Sequence, residues 1–232
     1  GTCLNVGCIP TKALTTATNL LVDARRGEDI GLTIPEIKPD LPAMMAYERE
    51  TVDNLVGGVE RLLGEREVTL VRGRGRLIAP DTLQVAAPGG WTTQVAANHV
   101  VLAPGSVTAH PPIPGLDLPG VMTSTEALTI TDVPEHLIVV GGGVIGLEFA
   151  SIYEALGSRI TVLEMMPTLL PGVVGKRMAK RLAITLHRRG MDIQLGTRVE
   201  RIESIGDGLR VVFEGRRGEE TVEGERVLVA VG

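Results

Sequence analysis

The feature that most constrains the fold is an apolar run that ends in closely spaced glycines. Leu137 to Val140 form a short apolar segment, residues 141–146 read Gly-Gly-Gly-Val-Ile-Gly, and a helical pattern follows over 147–156. A Gly-x-Gly-x-x-Gly segment between a strand and a helix is typical of a βαβ unit in a parallel sheet. Further strand patterns at 159–164 and 192–195, separated by a helical pattern at 175–189, predict an α/β fold.

The glycine turn is a candidate binding site for a dinucleotide. Gly141 permits the tight turn, Gly143 lets the backbone approach a pyrophosphate, and Gly146 permits close packing of the helix on the strand. The N-terminus of the helix that follows offers free N–H groups and a partial positive charge to phosphates, and Val144 and Ile145 are candidate cofactor-binding residues together with the glycines. The alternative is a glycine-rich turn that binds no ligand.

Glu164 favours NAD over NADP as the dinucleotide. It lies eighteen residues after Gly146, at the end of the next predicted strand. An acidic side chain at that position accepts hydrogen bonds from the 2′-hydroxyl of the adenosine ribose and repels a 2′-phosphate. The residues that follow it, Met165-Met166-Pro167, include no arginine to receive such a phosphate. In the alternative interpretation Glu164 is merely solvated.

The amino end carries the only two cysteines of the chain, Cys3 and Cys8, in the segment GTCLNVGCIPTK at 1–12. Helical spacing from Lys12 to about Arg26 places the pair at a helix N-terminus, where a thiolate is favoured. Two neighbouring thiols suit thiol–disulfide exchange, because one sulfur is attacked and the other resolves. The alternatives are two buried thiols or half of a metal site. We predict no metal site, since the four histidines lie far away with no ligand-like spacing: His99, His110, His136 and His187.

Composition narrows the class of protein. With 232 residues, 44% of them hydrophobic, the chain is long enough for one large globular domain or two small ones. A net charge of −5 and 2% aromatic residues argue against a nucleic-acid partner. No apolar run approaches the roughly 20 residues of a membrane-spanning helix, so no membrane partner is predicted. Because Gly1 lies inside a motif and Gly232 follows a strand pattern, we expect a piece of a longer protein.

The pattern between the two motifs changes twice. A loop at 31–42 precedes a second helical pattern at 43–63, and short alternating segments at 68–71, 76–78, 83–86, 91–95 and 100–102 predict a small antiparallel ribbon followed by a buried strand. Prolines at 111, 112, 114 and 119 then mark a connection. We therefore predict two domains, residues 1–112 and 113–232.

Three segments, 1–12, 134–148 and 228–232, together resemble the flavin-dependent pyridine nucleotide–disulfide oxidoreductases, and within them the dihydrolipoamide dehydrogenases most closely. The resemblance covers essentially the whole chain. It implies a partial FAD-binding domain over 1–112 that carries the redox dithiol, followed by a Rossmann-like NAD-binding domain over 113–232. It also implies that an N-terminal FAD fingerprint and a C-terminal dimerisation domain are absent, so that this piece alone would neither retain FAD nor turn over.

The resemblance also implies roles for individual residues. Cys8 would contact the flavin ring and Cys3 would exchange with the dithiol substrate. Lys12 would lie beside the flavin, paired with Glu148. The remaining implied contacts are with FAD at Gly73, Gly105 and Ser106, and with the nicotinamide cofactor at Val199 and Gly232.

For the whole protein the resemblance implies oxidation of dihydrolipoamide to lipoamide, with electrons passing through Cys3/Cys8 and FAD to NAD. The implied partner is the lipoyl domain of a 2-oxoacid dehydrogenase complex, and the implied protein is a cytoplasmic homodimer. Two alternatives stay open. One is another disulfide reductase of the same family, of the glutathione or mercuric type and linked to NADPH. The other is a catalytically silent NAD-binding docking module.

Overall fold

The computed structural model describes residues 1–35, 37–129, 131–215 and 218–231. The chain divides into two compact units, residues 1–52 together with 107–232, and residues 53–106. A compact unit is not the same as a functional domain, and the predicted boundary concerns functional domains. The division at residues 112 and 113 therefore remains a prediction.

Helices and strands alternate through most of the chain. The helices are α1 (Thr2–Val6), α2 (Cys8–Arg25), α3 (Leu41–Glu65), α4 (Ser124–Ala127), α5 (Val144–Leu156) and α6 (Lys176–Arg188), with a 3₁₀ turn at Gly27–Ile30. The strands are β1 (Arg74–Ala79), β2 (Thr82–Ala86), β3 (Thr92–Ala96), β4 (Val121–Met122), β5 (His136–Val140), β6 (Arg159–Glu164), β7 (Asp192–Leu195), β8 (Arg198–Ile205), β9 (Gly208–Gly215), β10 (Gly218–Gly224) and β11 (Arg226–Val229). Within the described residues, no helix has the length and apolar character that crossing a membrane requires.

A parallel sheet of five strands organises the larger unit, in the order β4-β11-β5-β6-β7. Every residue of β5 is buried, as expected for a central parallel strand that is covered on both faces. Leu137 and Val139 belong to one apolar cluster, and Ile138 and Val140 to a second. Successive side chains of a strand point to opposite faces, so the apolar run at 137–140 supplies both cores.

The two clusters correspond to two different layers. The first contains residues of α2, α3 and α5, and Arg25 of α2 donates a hydrogen bond from Nη1 to the carbonyl oxygen of Ala155 at 2.6 Å. The second contains Leu209, Val211 and Phe213 of an antiparallel sheet in the order β10-β9-β8. Helices therefore cover one face of the parallel sheet, and an antiparallel sheet covers the other.

This arrangement confirms the predicted α/β fold class. Strands β5, β6 and β7 begin and end at the predicted residues, while α2 begins four residues earlier than predicted, at Cys8. The helix predicted at 43–63 is α3, which continues through Gly57 and Gly58 without a break. Strand β10 was not predicted, because its sequence GEETVEG contains three glutamates and only one apolar side chain, Val222.

The smaller unit contains the predicted antiparallel ribbon, formed by β1, β2 and β3. The strands predicted at 68–71 and 100–102 are wrong. Neither segment pairs with another strand in the part of the chain that the structure describes, and Leu70, Val101 and Leu102 are exposed. An apolar segment without a hydrogen-bonded partner does not form a strand, whatever its pattern of side chains.

Phe149 tests the importance of the helix-covered core. Its side chain is 1% exposed and lies in the first apolar cluster. We expect Phe149→Ala to lower the free energy of unfolding by about 3–5 kcal/mol, because it removes buried area and leaves a cavity. Ile184→Ala on the exposed side of α6 is the control, and we expect a change of less than about 0.5 kcal/mol. Equal effects of the two substitutions in urea unfolding would contradict this assignment of the core.

His136 makes the free energy of unfolding depend on pH. Its side chain is 4% exposed, its Nε2 lies 2.9 Å from Oγ1 of Thr161, and its Nδ1 has no hydrogen-bond partner among the described residues. Burial, and next the positive charge of Arg159, lower the pKa of His136 below its ordinary value. The folded protein therefore keeps this imidazole neutral at a pH where the unfolded chain already binds a proton.

We expect the free energy of unfolding to fall between pH 7.5 and pH 5.5, because the unfolded imidazole takes up a proton near its ordinary pKa of about 6.5. His136→Gln removes this contribution, so the decrease with falling pH should be smaller in the variant than in the parent. His187→Gln, an exposed histidine near the end of α6, should keep the parental decrease. Urea unfolding at several pH values measures these slopes, and identical slopes in all three proteins would refute the contribution.

Candidate functional site

The two cysteines form a disulfide at the junction of two helices. Cys3 lies in α1 and Cys8 is the first residue of α2, and their Cα atoms are 4.8 Å apart. The predicted position at a helix N-terminus is therefore confirmed. Both cysteines are exposed, so a dithiol from solution can reach the sulfur atoms. The alternative of two buried thiols is wrong.

Local contacts hold this junction in place. Gly7 separates the two helices, and a Cβ atom there would lie 3.2 Å from Cα of Cys3, closer than most side chains tolerate. The carbonyl oxygen of Gly7 accepts a hydrogen bond from Oγ1 of Thr11 at 2.7 Å, and Asn5 donates from Nδ2 to the carbonyl oxygen of Gly1 at 2.8 Å. The small residue at position 7 therefore lets the helix carrying Cys8 approach the helix carrying Cys3.

Lys12 and Glu148 form the ion pair that the resemblance implied. Nζ of Lys12 lies 3.3 Å from Oε1 of Glu148, and the two side chains are 65% and 34% exposed. Lys12 lies four residues after Cys8 on α2, so the two side chains share one face of the helix. The contact places a paired cation near the dithiol. Its role beside a flavin remains a proposal.

The glycine turn joins β5 to α5 with no room for larger residues at two positions. Gly141 has a φ of +112°, and a Cβ atom there would lie 2.6 Å from the carbonyl oxygen of Ala230. A Cβ atom on Gly146 would lie 2.1 Å from the carbonyl oxygen of Gly141. At Gly143, in contrast, a Cβ atom would meet nothing within 4 Å. Gly141 and Gly146 therefore serve the packing of the turn, and Gly143 leaves space beside the backbone.

The N-terminus of α5 is available to an anion. Gly143 is its N-cap, no described side chain caps it, and its first turn contains no acidic residue. The first N–H groups of a helix have no partner inside the helix, and they carry a partial positive charge. Val144 and Ile145, in this first turn, are exposed. A phosphate that approaches Gly143 would thus find free donors.

A cleft of about 570 Å³ opens at the carboxyl ends of the parallel strands. Val140 and Gly141 line it from β5, Leu163 and Glu164 from β6, and the 230–231 segment from the end of β11. Strands β6 and β11 pair with opposite edges of β5, so the order in which the chain adds strands to the sheet changes direction at β5. Ligands of open α/β sheets bind at such a switch point.

Glu164 is held firmly at the edge of this cleft. Its side chain is 6% exposed, its Oε2 accepts a hydrogen bond from the backbone N–H of Gly142, and its Oε1 accepts one from Met166, both at 2.6 Å. The alternative that Glu164 is merely solvated is therefore wrong. Because each carboxylate oxygen has a second lone pair, a ribose hydroxyl can still donate to this group.

The structure brings together four of the residues predicted to bind cofactor: Gly141, Gly143, Glu164 and Val199 all line the cleft. Gly232 lies outside the described residues. Gly73, Gly105 and Ser106 lie in the smaller unit, and their contact with FAD remains a prediction. A Cβ atom on Gly73 would lie 2.6 Å from the carbonyl oxygen of Ala86, so packing on β2 by itself requires glycine there.

Sequence reasoning missed two residues at the cleft. Thr197 donates from its backbone N–H to the carbonyl oxygen of Glu164 at 3.0 Å, and its Oγ1 donates to the carbonyl oxygen of Gln194, also at 3.0 Å. Arg198 follows it and lines the cleft. No fixed spacing relates either residue to the glycine turn, so the only available signal was their position just before the strand pattern at 199–205.

Comparison with known proteins identifies the family. The model of the pyridine nucleotide-disulphide oxidoreductases matches residues 1–232. The chain belongs to this family. Proteins of this family use FAD and NAD as cofactors, as the resemblance implied.

Relatives of known name are similar over the whole chain. It is 40% identical to dihydrolipoyl dehydrogenase 3 of Pseudomonas aeruginosa, covering 50% of that protein, and 36% identical to mitochondrial dihydrolipoyl dehydrogenase 2 of Arabidopsis thaliana, covering 46%. Both matches cover 100% of this chain. The chain thus spans about half the length of the curated relatives it matches.

A solved structure shows the same fold. The HOCl-induced flavoprotein disulfide reductase RclA from Escherichia coli superposes with a TM-score of 0.78 and 29% identity, covering 100% of this chain and 48% of RclA. The likeness therefore extends to a flavoprotein that reduces disulfides.

The described residues fit both cofactors of the family. For the dinucleotide, the open space at Gly143, the uncapped α5 and the lone pairs of Glu164 suit a pyrophosphate and a ribose. For the flavin, the exposed Cys8 and the exposed ammonium of Lys12 offer a sulfur and a cation on one helix face. A cation there would stabilise negative charge on a reduced ring.

A substitution at Gly143 distinguishes an effect on NADH binding from an effect on folding. We expect Gly143→Ala to weaken NADH binding by about tenfold or more, because the added methyl group projects toward the space that a pyrophosphate would occupy. Since that methyl group meets no described atom within 4 Å, the free energy of unfolding should fall by no more than about 1 kcal/mol, the penalty for alanine in place of glycine at an N-cap.

The matched control is Gly175→Ala, at the N-cap of α6, where a Cβ atom also meets nothing within 4 Å. NADH binding should not change in this variant, and the free energy of unfolding should fall by the same small amount as in Gly143→Ala. Fluorescence titration with NADH and urea unfolding provide the two measurements. Full binding by Gly143→Ala would show that the pyrophosphate lies elsewhere.

Proposed function

We propose that the protein of which this chain forms part oxidises dihydrolipoamide to lipoamide and passes the electrons through the Cys3/Cys8 disulfide and FAD to NAD. The single observation that carries the proposal is the exposed disulfide at the start of α2, beside the Lys12–Glu148 pair. Similarity to dihydrolipoyl dehydrogenases at 36–40% identity supports the choice of substrate.

The exposed disulfide suits exchange with a dithiol. A thiolate of dihydrolipoamide attacks Sγ of Cys3, the Cys3–Cys8 bond breaks, and Cys8 leaves as a thiolate. The second substrate thiol, after losing its proton, then attacks the substrate sulfur bound to Cys3 and releases Cys3. The substrate ends as a cyclic disulfide, and the protein gains two electrons as a reduced Cys3/Cys8 pair. When bound, FAD and NAD would supply the electron acceptors that carry these two electrons away from the Cys3/Cys8 pair.

The helix termini favour the charged species in these steps. Cys8 is the first residue of α2, and the partial positive charge of a helix N-terminus stabilises a thiolate there. No acidic residue lies in the first turn of α1 or α2 to oppose it. Lys12 adds a positive charge on the same face, and Glu148 fixes the position of its ammonium group.

The wider assignments belong to the whole protein. We propose a lipoyl domain of a 2-oxoacid dehydrogenase complex as the carrier of the substrate, a homodimer as the assembly and the cytoplasm as the location. An NADPH-linked disulfide reductase is the second candidate function, because Arg198 lies in the nucleotide cleft. A silent docking module is disfavoured by the accessible disulfide.

Replacement of either sulfur tests the proposal in the full-length protein. We expect Cys3→Ser and Cys8→Ser each to reduce dihydrolipoamide oxidation with NAD⁺ by at least about 100-fold, because exchange needs both sulfurs. Oxidation of NADH by ferricyanide should persist in both variants, since electrons that move from NADH to the flavin bypass the dithiol. This second assay shows that folding and cofactor binding are intact.

Thr16→Ser, an exposed position two turns further along α2, is the matched control and should retain both activities. Parental rates of dihydrolipoamide oxidation in either cysteine variant would refute the proposal. A parent that reduces glutathione disulfide with NADPH but leaves dihydrolipoamide unchanged would favour the second candidate.

A further inference from the structure

The nucleotide cleft contains one acidic and one basic residue among its described lining residues, Glu164 and Arg198. The two differ in their surroundings. Glu164 is buried, and both of its oxygens accept backbone hydrogen bonds. Arg198 is exposed and lies opposite Glu214 in the pairing of β8 with β9, and its guanidinium makes no hydrogen bond or ion pair within the part of the chain that the structure describes. The guanidinium is therefore free to bind a ligand.

The backbone places Arg198 near the acidic residue. Thr197 donates a hydrogen bond from its backbone N–H to the carbonyl oxygen of Glu164 at 3.0 Å. Arg198 is the next residue and the first of β8. Its side chain therefore starts close to the end of β6, where the acidic residue of a dinucleotide-binding fold meets the adenosine ribose.

We propose that Arg198 contacts the 2′-position of the adenosine ribose and sets the selectivity between NAD and NADP, in opposition to Glu164. This inference rests on the proposed nucleotide site, and not on the proposed thiol substrate. The prediction of NAD from the sequence rested on the charge of Glu164 and on the lack of an arginine directly after it. The fold supplies an arginine from β8 instead.

The two charges act on a 2′-phosphate in opposite directions. Glu164 repels the phosphate, but the N–H groups of Gly142 and Met166 offset part of its negative charge. Arg198 attracts the phosphate and offers planar donors that suit its oxygen atoms. Selectivity for NAD is therefore limited, and loss of the Glu164 charge would shift it toward NADP.

The test uses the FAD-loaded full-length protein and two ligands without nicotinamide, ADP-ribose and 2′-phospho-ADP-ribose. Isothermal titration measures both affinities for the parent, Arg198→Gln, Glu164→Gln and the double variant. Lys180→Gln on α6 is the control, because it removes an exposed positive charge that does not line the cleft. Arg198→Lys keeps the charge but loses the planar donors.

We expect Arg198→Gln to weaken binding of 2′-phospho-ADP-ribose by about tenfold and that of ADP-ribose by less than about threefold. Arg198→Lys should lie between this variant and the parent. Glu164→Gln should strengthen binding of the phosphorylated ligand relative to ADP-ribose, and the double variant should lose that gain. Lys180→Gln should leave the ratio of the two affinities unchanged.

An equal effect of Arg198→Gln on both ligands, no effect on either, or a gain from Glu164→Gln that survives in the double variant would each overturn the inference. A parent that binds neither ligand would overturn both the nucleotide site and the role of Arg198. A parent that binds these ligands but does not oxidise dihydrolipoamide would refute the proposed substrate alone.

Discussion

The close contact between Gly146 and the carbonyl oxygen of Gly141 is the constraint on which the larger unit depends. A Cβ atom at Gly146 would lie 2.1 Å from that oxygen, so only glycine lets α5 begin this close to the end of β5. This approach directs the helix N-terminus toward the cleft and carries Phe149 and Ile152 into the core. The same glycine thus serves packing and the candidate anion site.

Helix α5 also connects the two candidate sites. Its N-terminus lies at the nucleotide cleft, and Glu148, two residues after Gly146, pairs with Lys12 of the dithiol helix. Arg25 of α2 bonds to the carbonyl oxygen of Ala155 near the other end of α5. Exposed ion pairs contribute at most about 1 kcal/mol, so the apolar cluster shared by α2 and α5 does more than the Lys12–Glu148 pair to hold the helices together. The pair fixes where the charge of Lys12 lies.

The sequence predicts features that depend on neighbouring residues better than features that depend on contacts between distant ones. Strands β5, β6 and β7 were predicted to the residue, because β5 and β6 contain apolar runs and the alternating segment of β7 lies between Gly190 and Gly196. The segment at 100–102 has a similar pattern but no partner strand among the described residues, and pairing is not a local property. The Lys12–Glu148 contact joins residues 136 positions apart. Resemblance to a family supplied it, because periodicity relates only residues within one element. Arg198 was missed for the same reason, since the fold brings β8 to the end of β6.

Glu164 illustrates how a single carboxylate combines structural and selective roles. A buried carboxylate without partners would be costly, but here Gly142 and Met166 each donate a hydrogen bond to it. The bond from Gly142 fixes the middle of the glycine turn, so the carboxylate proposed to meet the ribose also shapes the candidate pyrophosphate site. A change of side chain at this position therefore alters the charge at the ribose and the geometry of the turn together. The guanidinium of Arg198 makes no hydrogen bond or ion pair among the described residues, so substitution there changes the charge and leaves the hydrogen bonds of the turn in place. Selectivity in this cleft can thus be altered from β8 without disturbing the turn between β5 and α5.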